Sequence, residues 1–235
     1  MHSIIAKQRK YFNTQATKDV SFRIQELKKL KKTLKTNESL LFDAIYSDFK
    51  KSQFETIVTE LSLVYLDIDE ACRKLNGWAR KKRVRTNLLN FPARSYTLPE
   101  PLGVALVVGA WNYPYLLSLG PMVAAMAAGC TVVLKPSELP ARTSSVLKKI
   151  ISESFAEAYI AVVEGGIPET TELLAQKFDK IFFTGSTKVG KIVYKAAAEH
   201  LTPVTLELGG KSPAFVTADC NLKMTAKRLI WAKFL

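Results

Sequence analysis

Glu207 is a carboxylate in a place where a carboxylate is costly. It closes the apolar run Val204-Thr205-Leu206 and precedes Leu208-Gly209-Gly210-Lys211. At the inner end of a buried strand such a group is either paired or functional. Desolvation would raise its pKa towards the range that suits a general base. A second stretch with chemical content is Phe182-Phe183-Thr184-Gly185-Ser186-Thr187-Lys188-Val189-Gly190-Lys191. An apolar run of strand length leads into it, and Val189, Ile192, Val193, Ala196 and Ala197 follow at spacings of three and four. The spacing predicts strand, glycine turn and helix. Such a turn gathers free backbone N–H groups at the positive end of a helix dipole, where an anion such as a phosphate is stabilised. Gly185 lets the backbone approach closely, and Ser186 brings a hydroxyl to the N-cap position. Gly185 to Lys191 also fits G-x-x-x-x-G-K, but Ile192 stands where a P-loop needs Ser or Thr for Mg²⁺, which argues against an NTPase. The G-x-G-x-x-G fingerprint is absent, so this stretch alone fits an ordinary capped helix as well as a dinucleotide site. Asn112 ahead of Pro114, and Lys135 with Glu138, are weaker signals. Taken singly, a turn asparagine and a surface ion pair account for them.

The elements that must position these groups fall into three stretches. Residues 1–83 read as helical. Phe22, Ile24, Leu27, Leu30 and Leu34 form one apolar face, and Asn37 offers a cap for the next helix. Ile57, Leu61, Val64, Ile68, Cys72 and Leu75 form a third face, with Gly77 placed to end it. Residues 84–101 hold Pro92, Pro99 and Pro101 around an alternating stretch, which predicts edge strands or a hairpin outside the main body. From 102 onwards strands are expected over 102–108, 131–134, 160–163, 180–183, 204–207 and 214–216. Helices are expected over 115–128, 142–155, 169–176, 188–199 and 222–235. Alternation of this kind specifies an α/β fold with a doubly wound, Rossmann-like parallel sheet. Ligands bind such sheets at the carboxyl ends of the strands, where Asn112, Lys135, Glu138, Ser186 and Glu207 all fall.

Composition narrows the class further. The formal net charge is +13, and most of the excess lies in residues 1–86. The runs Lys28-Lys29-Lys31-Lys32-Lys35 and Arg80-Lys81-Lys82-Arg83-Arg85 raise nucleic-acid binding. No aromatic residues interleave with them, so solvated faces are expected and a nucleic-acid partner is not. Three cysteines without C-x-x-C spacing suit a reducing cytoplasm and no zinc site. Residues 101–134 carry no charge, yet glycines and prolines cut them into core-sized pieces, so no membrane span is expected. No signal peptide is visible at the start.

Four motifs together resemble the aldehyde dehydrogenase superfamily in order and spacing. They are Trp111-Asn112-Tyr113-Pro114, Leu134-Lys135-Pro136-Ser137-Glu138, Phe183-Thr184-Gly185-Ser186 and Leu206-Glu207-Leu208-Gly209-Gly210-Lys211. Pro121-Met122 and Trp231-Ala232-Lys233-Phe234-Leu235 look like the class 3 branch, which acts on fatty or aromatic aldehydes. The resemblance implies NAD, with NADP as an alternative, and a cofactor set of Trp111, Lys135, Glu138, Gly185, Ser186, Gly190 and Leu208. Lys135 and Glu138 would hold the adenosine ribose, Ser186 would face the pyrophosphate, and Leu208 would meet the nicotinamide end. It implies that Asn112 donates to an oxyanion and that Glu207 activates the water that hydrolyses a cysteine thioester. It also implies an aldehyde substrate, a homodimer and an oligomerisation role for residues 84–101. The family's nucleophilic cysteine follows a segment like Trp231 to Leu235, so these residues are expected to be an N-terminal portion without it. Cys72 and Cys130 read as core and Cys220 as a turn residue. The alternative is a non-catalytic dinucleotide-binding or interaction protein.

Overall fold

The computed structural model describes residues 1–234. Five helices come first: α1 His2–Asn13, α2 Val20–Thr36, α3 Glu38–Phe49, the short α4 Gln53–Thr56 and α5 Ser62–Trp78. A π-helical turn, Ile57–Leu61, joins α4 to α5. A two-stranded antiparallel sheet follows, β1 Lys82–Val84 with β2 Ser95–Thr97, in the register Arg83 opposite Tyr96. A hairpin is expected here, but its first strand begins at Lys82, inside the stretch expected to be helical, because α5 already ends at Trp78; the two strands pair with each other rather than with the main sheet.

The main sheet comprises β3 Val104–Val108, β4 Thr131–Lys135, β5 Ile160–Val162, β6 Lys180–Gly185 and β7 Val204–Leu208. Its order is β5-β4-β3-β6-β7 and every pairing is parallel. Parallel neighbours need crossovers, supplied by α6 Leu116–Ala127, α7 Ala141–Ser154, α8 Ile167–Leu174 and α9 Thr187–Ala198. All residues of β3, β4 and β5 are buried. Alternation along the strands divides the core between two faces. Val107, Val132 and Leu134 join the layer of Leu27, Leu34, Leu41, Ile68, Met122 and Ile151. Val104, Leu106, Val108 and Val133 join Ile5, Leu173, Val193 and Ala197. α2, α3 and α5 therefore form one of the layers that cover the sheet, and α1 contributes Ile5 to the other.

Several expectations are corrected. Gly77 does not end α5, which runs through it to Trp78 and is capped at Ala79 in a right-handed conformation. Asn37 stands at the N-cap of α3 without a side-chain cap bond, because its Nδ2 donates backwards to Thr33 O at 2.8 Å. Ile57 leaves the apolar face and is exposed, because the π turn that starts there shifts the helix face, and Thr56, Thr59 and Glu60 are the residues buried ahead of Leu61. On α9 the covered stripe is Gly190, Val193 and Ala197, with Val189 and Ile192 exposed. Residues 214–216 form no strand: the chain leaves the sheet after β7, and Phe215 and Val216 are exposed without a neighbour to complete a ladder. The last helix, α10 Leu222–Phe234, forms as expected but buries no residue; position 235 lies outside the described residues. No helix among them is long and apolar enough to cross a membrane.

Candidate functional site

The chain builds β3, β4 and β5 outward in one direction, then returns to place β6 and β7 on the other side of β3. The order reverses between β3 and β6, and the crevice beyond their carboxyl ends is where such sheets bind ligands. The loop after β3 carries Trp111 and Asn112, β4 ends at Lys135, β6 ends at Gly185 with Ser186 next, and β7 ends with Glu207 and Leu208. Register pairs Val108 with Lys135, Thr184 with Glu207, and Gly185 with Leu208. All the expected site residues except Gly190 thus stand at one end of the sheet or in the loops that leave it. Gly190 lies inside α9, where a Cβ would come 2.9 Å from Leu208 Cδ2. The absence of a side chain there lets the helix start pack closely against β7.

The helix starts at this end are electrostatically unequal. α6 receives Glu60, whose Oε2 accepts from Tyr115 N at 2.8 Å and Leu116 N at 3.2 Å. α7 receives Asp48, which accepts from Thr143 N at 2.8 Å and Arg142 N at 3.3 Å. α8 carries its own Glu169, which accepts from Gly166 N at 2.7 Å. α9 has only the Ser186 hydroxyl, which accepts from Val189 N at 3.3 Å, and no acidic residue in its first turn. Three of the four dipole ends are therefore already met by carboxylates. The fourth, at the switch point, is flanked by exposed Lys188 and Lys191. A helix start of this kind favours an incoming anion. Ser186 Oγ has a proton still to donate while accepting from Val189. At Gly185 a Cβ would sit 2.6 Å from the ring of buried Phe183, so the backbone here runs closer to its neighbours than a side chain allows.

Lys135 and Glu138 are not the surface pair that sequence permits. Lys135 is only 1% exposed, whereas the Glu138 carboxylate is about half exposed. The Lys135 ammonium donates to Pro136 O at 2.8 Å and lies 3.6 Å from Glu138 Oε2. Burial pushes its pKa below the usual lysine range, and the charge of Glu138 partly restores it. A buried ammonium beside an exposed carboxylate, at the end of a central strand, offers a donor and an acceptor to a polyhydroxylated ligand.

Trp111 is 51% exposed and its ring lies 6.3 Å from that of Phe49. Asn112 is exposed, and its side-chain amide has no partner among the described residues. Glu207 is exposed as well, which corrects the expectation of a buried strand. The cause is topological: β7 is the edge of the sheet, so one of its sides has no neighbouring strand. Only β6 lies between the strand that leads to Asn112 and the strand that carries Glu207. At about 4.8 Å per strand the two strands are roughly 10 Å apart, room for a small reacting group between amide and carboxylate. None of the cysteines belongs to this arrangement by its position in the fold. Cys72 packs on the helical layer with its thiol towards Ile24 O, and burial raises its pKa. Cys130 is buried just before β4, at the opposite end of that strand from Lys135. Cys220 lies in the turn before α10. The residues missed in sequence are Glu60 and Asp48, which cap helices far along the chain. The one available signal was a carboxylate at position 60 between Thr59 and core Leu61.

Comparison with known proteins agrees with this geometry. The model of the aldehyde dehydrogenase family matches residues 1–235. The 4,4'-diaponeurosporen-aldehyde dehydrogenase of Staphylococcus aureus is 46% identical over 224 residues, covering 95% of this chain and 49% of that protein. The structure of Staphylococcus aureus AldH in a substrate-bound state superposes with a TM-score of 0.95 at 45% identity, over 99% of this chain and 51% of that one. The Mycobacterium tuberculosis aldehyde dehydrogenase complexed with NAD⁺ superposes with a TM-score of 0.80 at 28% identity, over 93% of this chain and 45% of that one. The chain spans about half the length of the curated relatives it matches. On motif order, sheet topology and a family match over residues 1–235, the chain belongs to the aldehyde dehydrogenase family.

Proposed function

We propose that these residues form the dinucleotide-binding half of an NAD(P)-dependent aldehyde dehydrogenase, which converts an aldehyde to a carboxylic acid through a cysteine thioester. The observation that carries the reading is the start of α9. Among the described residues no carboxylate meets it, unlike the starts of α6, α7 and α8; it carries the Ser186 hydroxyl, and two lysines flank it. The donor set fits a dinucleotide: Ser186 and the first amides of α9 for the pyrophosphate, Lys135 and Glu138 for the adenosine ribose, Trp111 and Leu208 for the rest of the cofactor. When bound, that cofactor supplies the hydride acceptor.

The chain's own residues supply two further functions. Asn112 donates its side-chain N–H to the oxyanion that forms when a thiolate adds to the aldehyde carbon. Glu207 takes a proton from the water that attacks the thioester carbon, and the acid leaves as the thiolate is released. Neither Cys72, Cys130 nor Cys220 is placed to be that thiolate, so residues 1–235 alone should oxidise no aldehyde. All three thiols are free, which fits the reducing cytoplasm in which we place the protein. Thermal melting with and without NAD⁺ tests the cofactor site. A rise in Tm with NAD⁺ that ADP-ribose reproduces and nicotinamide does not would support it. The absence of any rise at saturating cofactor would remove it, and NADH production that survives Cys220→Ser would overturn the account of the nucleophile.

A further inference from the structure

The loop that carries Asn112 enters a helix whose own sequence provides no side-chain cap. It leaves β3 at Val108 and enters α6 at Leu116, and the N-cap position, Tyr115, makes no side-chain cap bond. Gly109 N donates to Lys135 O at 3.0 Å and Leu117 N to Tyr113 O at 2.9 Å, and the side-chain contacts that hold the start of α6 come from the helical first third. Glu60 is fully buried on the π turn, and its two carboxylate oxygens have separate tasks. Oε2 accepts from the backbone N–H groups of Tyr115 and Leu116. Oε1 accepts from Lys51 Nζ at 2.7 Å. The same ammonium lies 4.3 Å above the ring of Tyr113. Tyr115 OH donates to Leu41 O at 2.6 Å, and Trp111 lies beside Phe49. Asn112 therefore stands between two anchored aromatic residues, with its own amide unengaged.

We propose that Glu60, with Lys51, is a positioning residue for the oxyanion donor: the buried carboxylate locks the β3–α6 loop and so aims the Asn112 amide. The inference rests on the reading of Asn112 given above and goes beyond it. A carboxylate suits this position for a physical reason. It must accept from two backbone N–H groups and an ammonium at once, which takes two oxygens and their lone pairs. A glutamine has one oxygen and would turn an NH₂ group against either the ammonium or the amides. The π turn is part of the device, because the extra residue sets which way the side chain at position 60 points. π turns are frequent at functional sites.

The test uses the full chain continued after residue 235 with the second half of the Staphylococcus aureus relative, and compares Glu60→Gln with Asp48→Asn. Both changes weaken a carboxylate cap supplied from the helical layer, to α6 and α7 respectively. Glu60→Gln should lower kcat for aldehyde about tenfold to a hundredfold, the scale of a misplaced catalytic group, with dinucleotide affinity unchanged. Asp48→Asn, whose helix follows the Lys135–Glu138 loop, should act on cofactor KM and not on kcat. Glu60→Asp should leave Glu60→Gln the slower enzyme, because the shorter carboxylate still offers two oxygens. A kcat that stays at the parent value in folded Glu60→Gln, or one that falls equally in Asp48→Asn, would overturn the proposal. A second readout works in residues 1–235 alone. The side-chain amide resonances of Asn112 should move or broaden in Glu60→Gln and Lys51→Met; unchanged resonances in both would count against positioning even if activity fell. If Asn112→Ala proves as active as the parent, the reading of Asn112 fails, while these resonances still report whether Glu60 holds the loop.

Discussion

Ser186 allows two roles of one hydroxyl to be separated by two substitutions. In the folded chain Ser186 Oγ accepts from Val189 N at 3.3 Å at an exposed helix start. Losing such a cap to alanine costs about 1 kcal/mol, whereas glycine at the same position costs only a few tenths. For a chain of this size 1 kcal/mol moves Tm by about 2–4 °C. Ser186→Ala should therefore melt measurably lower, and Ser186→Gly should melt almost with the parent. The ligand role predicts a different pattern. A hydroxyl that donates to a phosphate makes a charge-assisted hydrogen bond worth about 1.5–3 kcal/mol when shielded. At this exposed site the low end applies, which corresponds to about tenfold in Kd. Both variants lack the hydroxyl, so both should bind NAD⁺ about tenfold more weakly, as measured by titration calorimetry at fixed salt. Affinity that falls in alanine but not in glycine would show that the cap alone matters. Affinity unchanged in both would remove Ser186 from the cofactor site.

Further consequences follow from other residues. In the chain completed with a relative's second half, Glu207→Gln should leave a burst of NADH followed by a weak steady rate, since hydride transfer precedes the step that needs the base; unchanged steady turnover would remove Glu207 from that role. Glu138 should accept from a ribose 2′-OH and repel a 2′-phosphate, so kcat/KM in that protein should favour NAD⁺; a clear preference for NADP⁺ would show that Lys135 dominates instead. Burial raises the pKa of Tyr65, Tyr115 and Tyr159, so the folded state holds these protons longer than the unfolded chain does. Their contribution is fully present below the ordinary tyrosine pKa of about 10 and falls as pH rises above it. The Tyr159 hydroxyl is buried without a hydrogen-bond partner among the described residues, whereas that of Tyr115 donates to Leu41 O. Tyr159→Phe should therefore be neutral or stabilising and soften the alkaline loss, and Tyr115→Phe should cost about 1 kcal/mol, as denaturant melts at pH 7 and pH 10.5 would show. Ile230, Trp231 and Phe234 are exposed on α10, which buries nothing, so Trp231→Lys with Phe234→Lys should reduce self-association in sedimentation.

Much of the fold was legible because buried parallel strands announce themselves. The runs that became β3 and β4 are apolar on both faces and bounded by turn residues, and helical periods separate them. What was misread depended on neighbours far away in sequence. Val204-Thr205-Leu206-Glu207 has the composition of an interior strand, but strand order puts it at the edge, and that order is not written in the segment itself. Lys135 reads as a surface lysine until the ends of β3, β4 and β5 close around it. Gly77 looked like a helix stop, yet with no left-handed residue required there the helix continues. That the candidate residues fall at the carboxyl ends of the strands was legible through spaced motifs. The carboxylates that stabilise α6 and α7 were not, because Glu60 and Asp48 act 55 and 95 residues down the chain. A helix start whose own sequence offers no cap is a reason to look for one elsewhere.

The most direct test of the cofactor site is a residue-resolved titration of the ¹⁵N-labelled chain with NAD⁺. The largest amide shifts should fall on Gly185, Ser186, Thr187 and Lys188, with little change at Arg142 and Thr143, whose amides already meet Asp48. Shifts centred on the start of α7, or none anywhere at saturating NAD⁺, would contradict the assignment of the open helix start to the pyrophosphate.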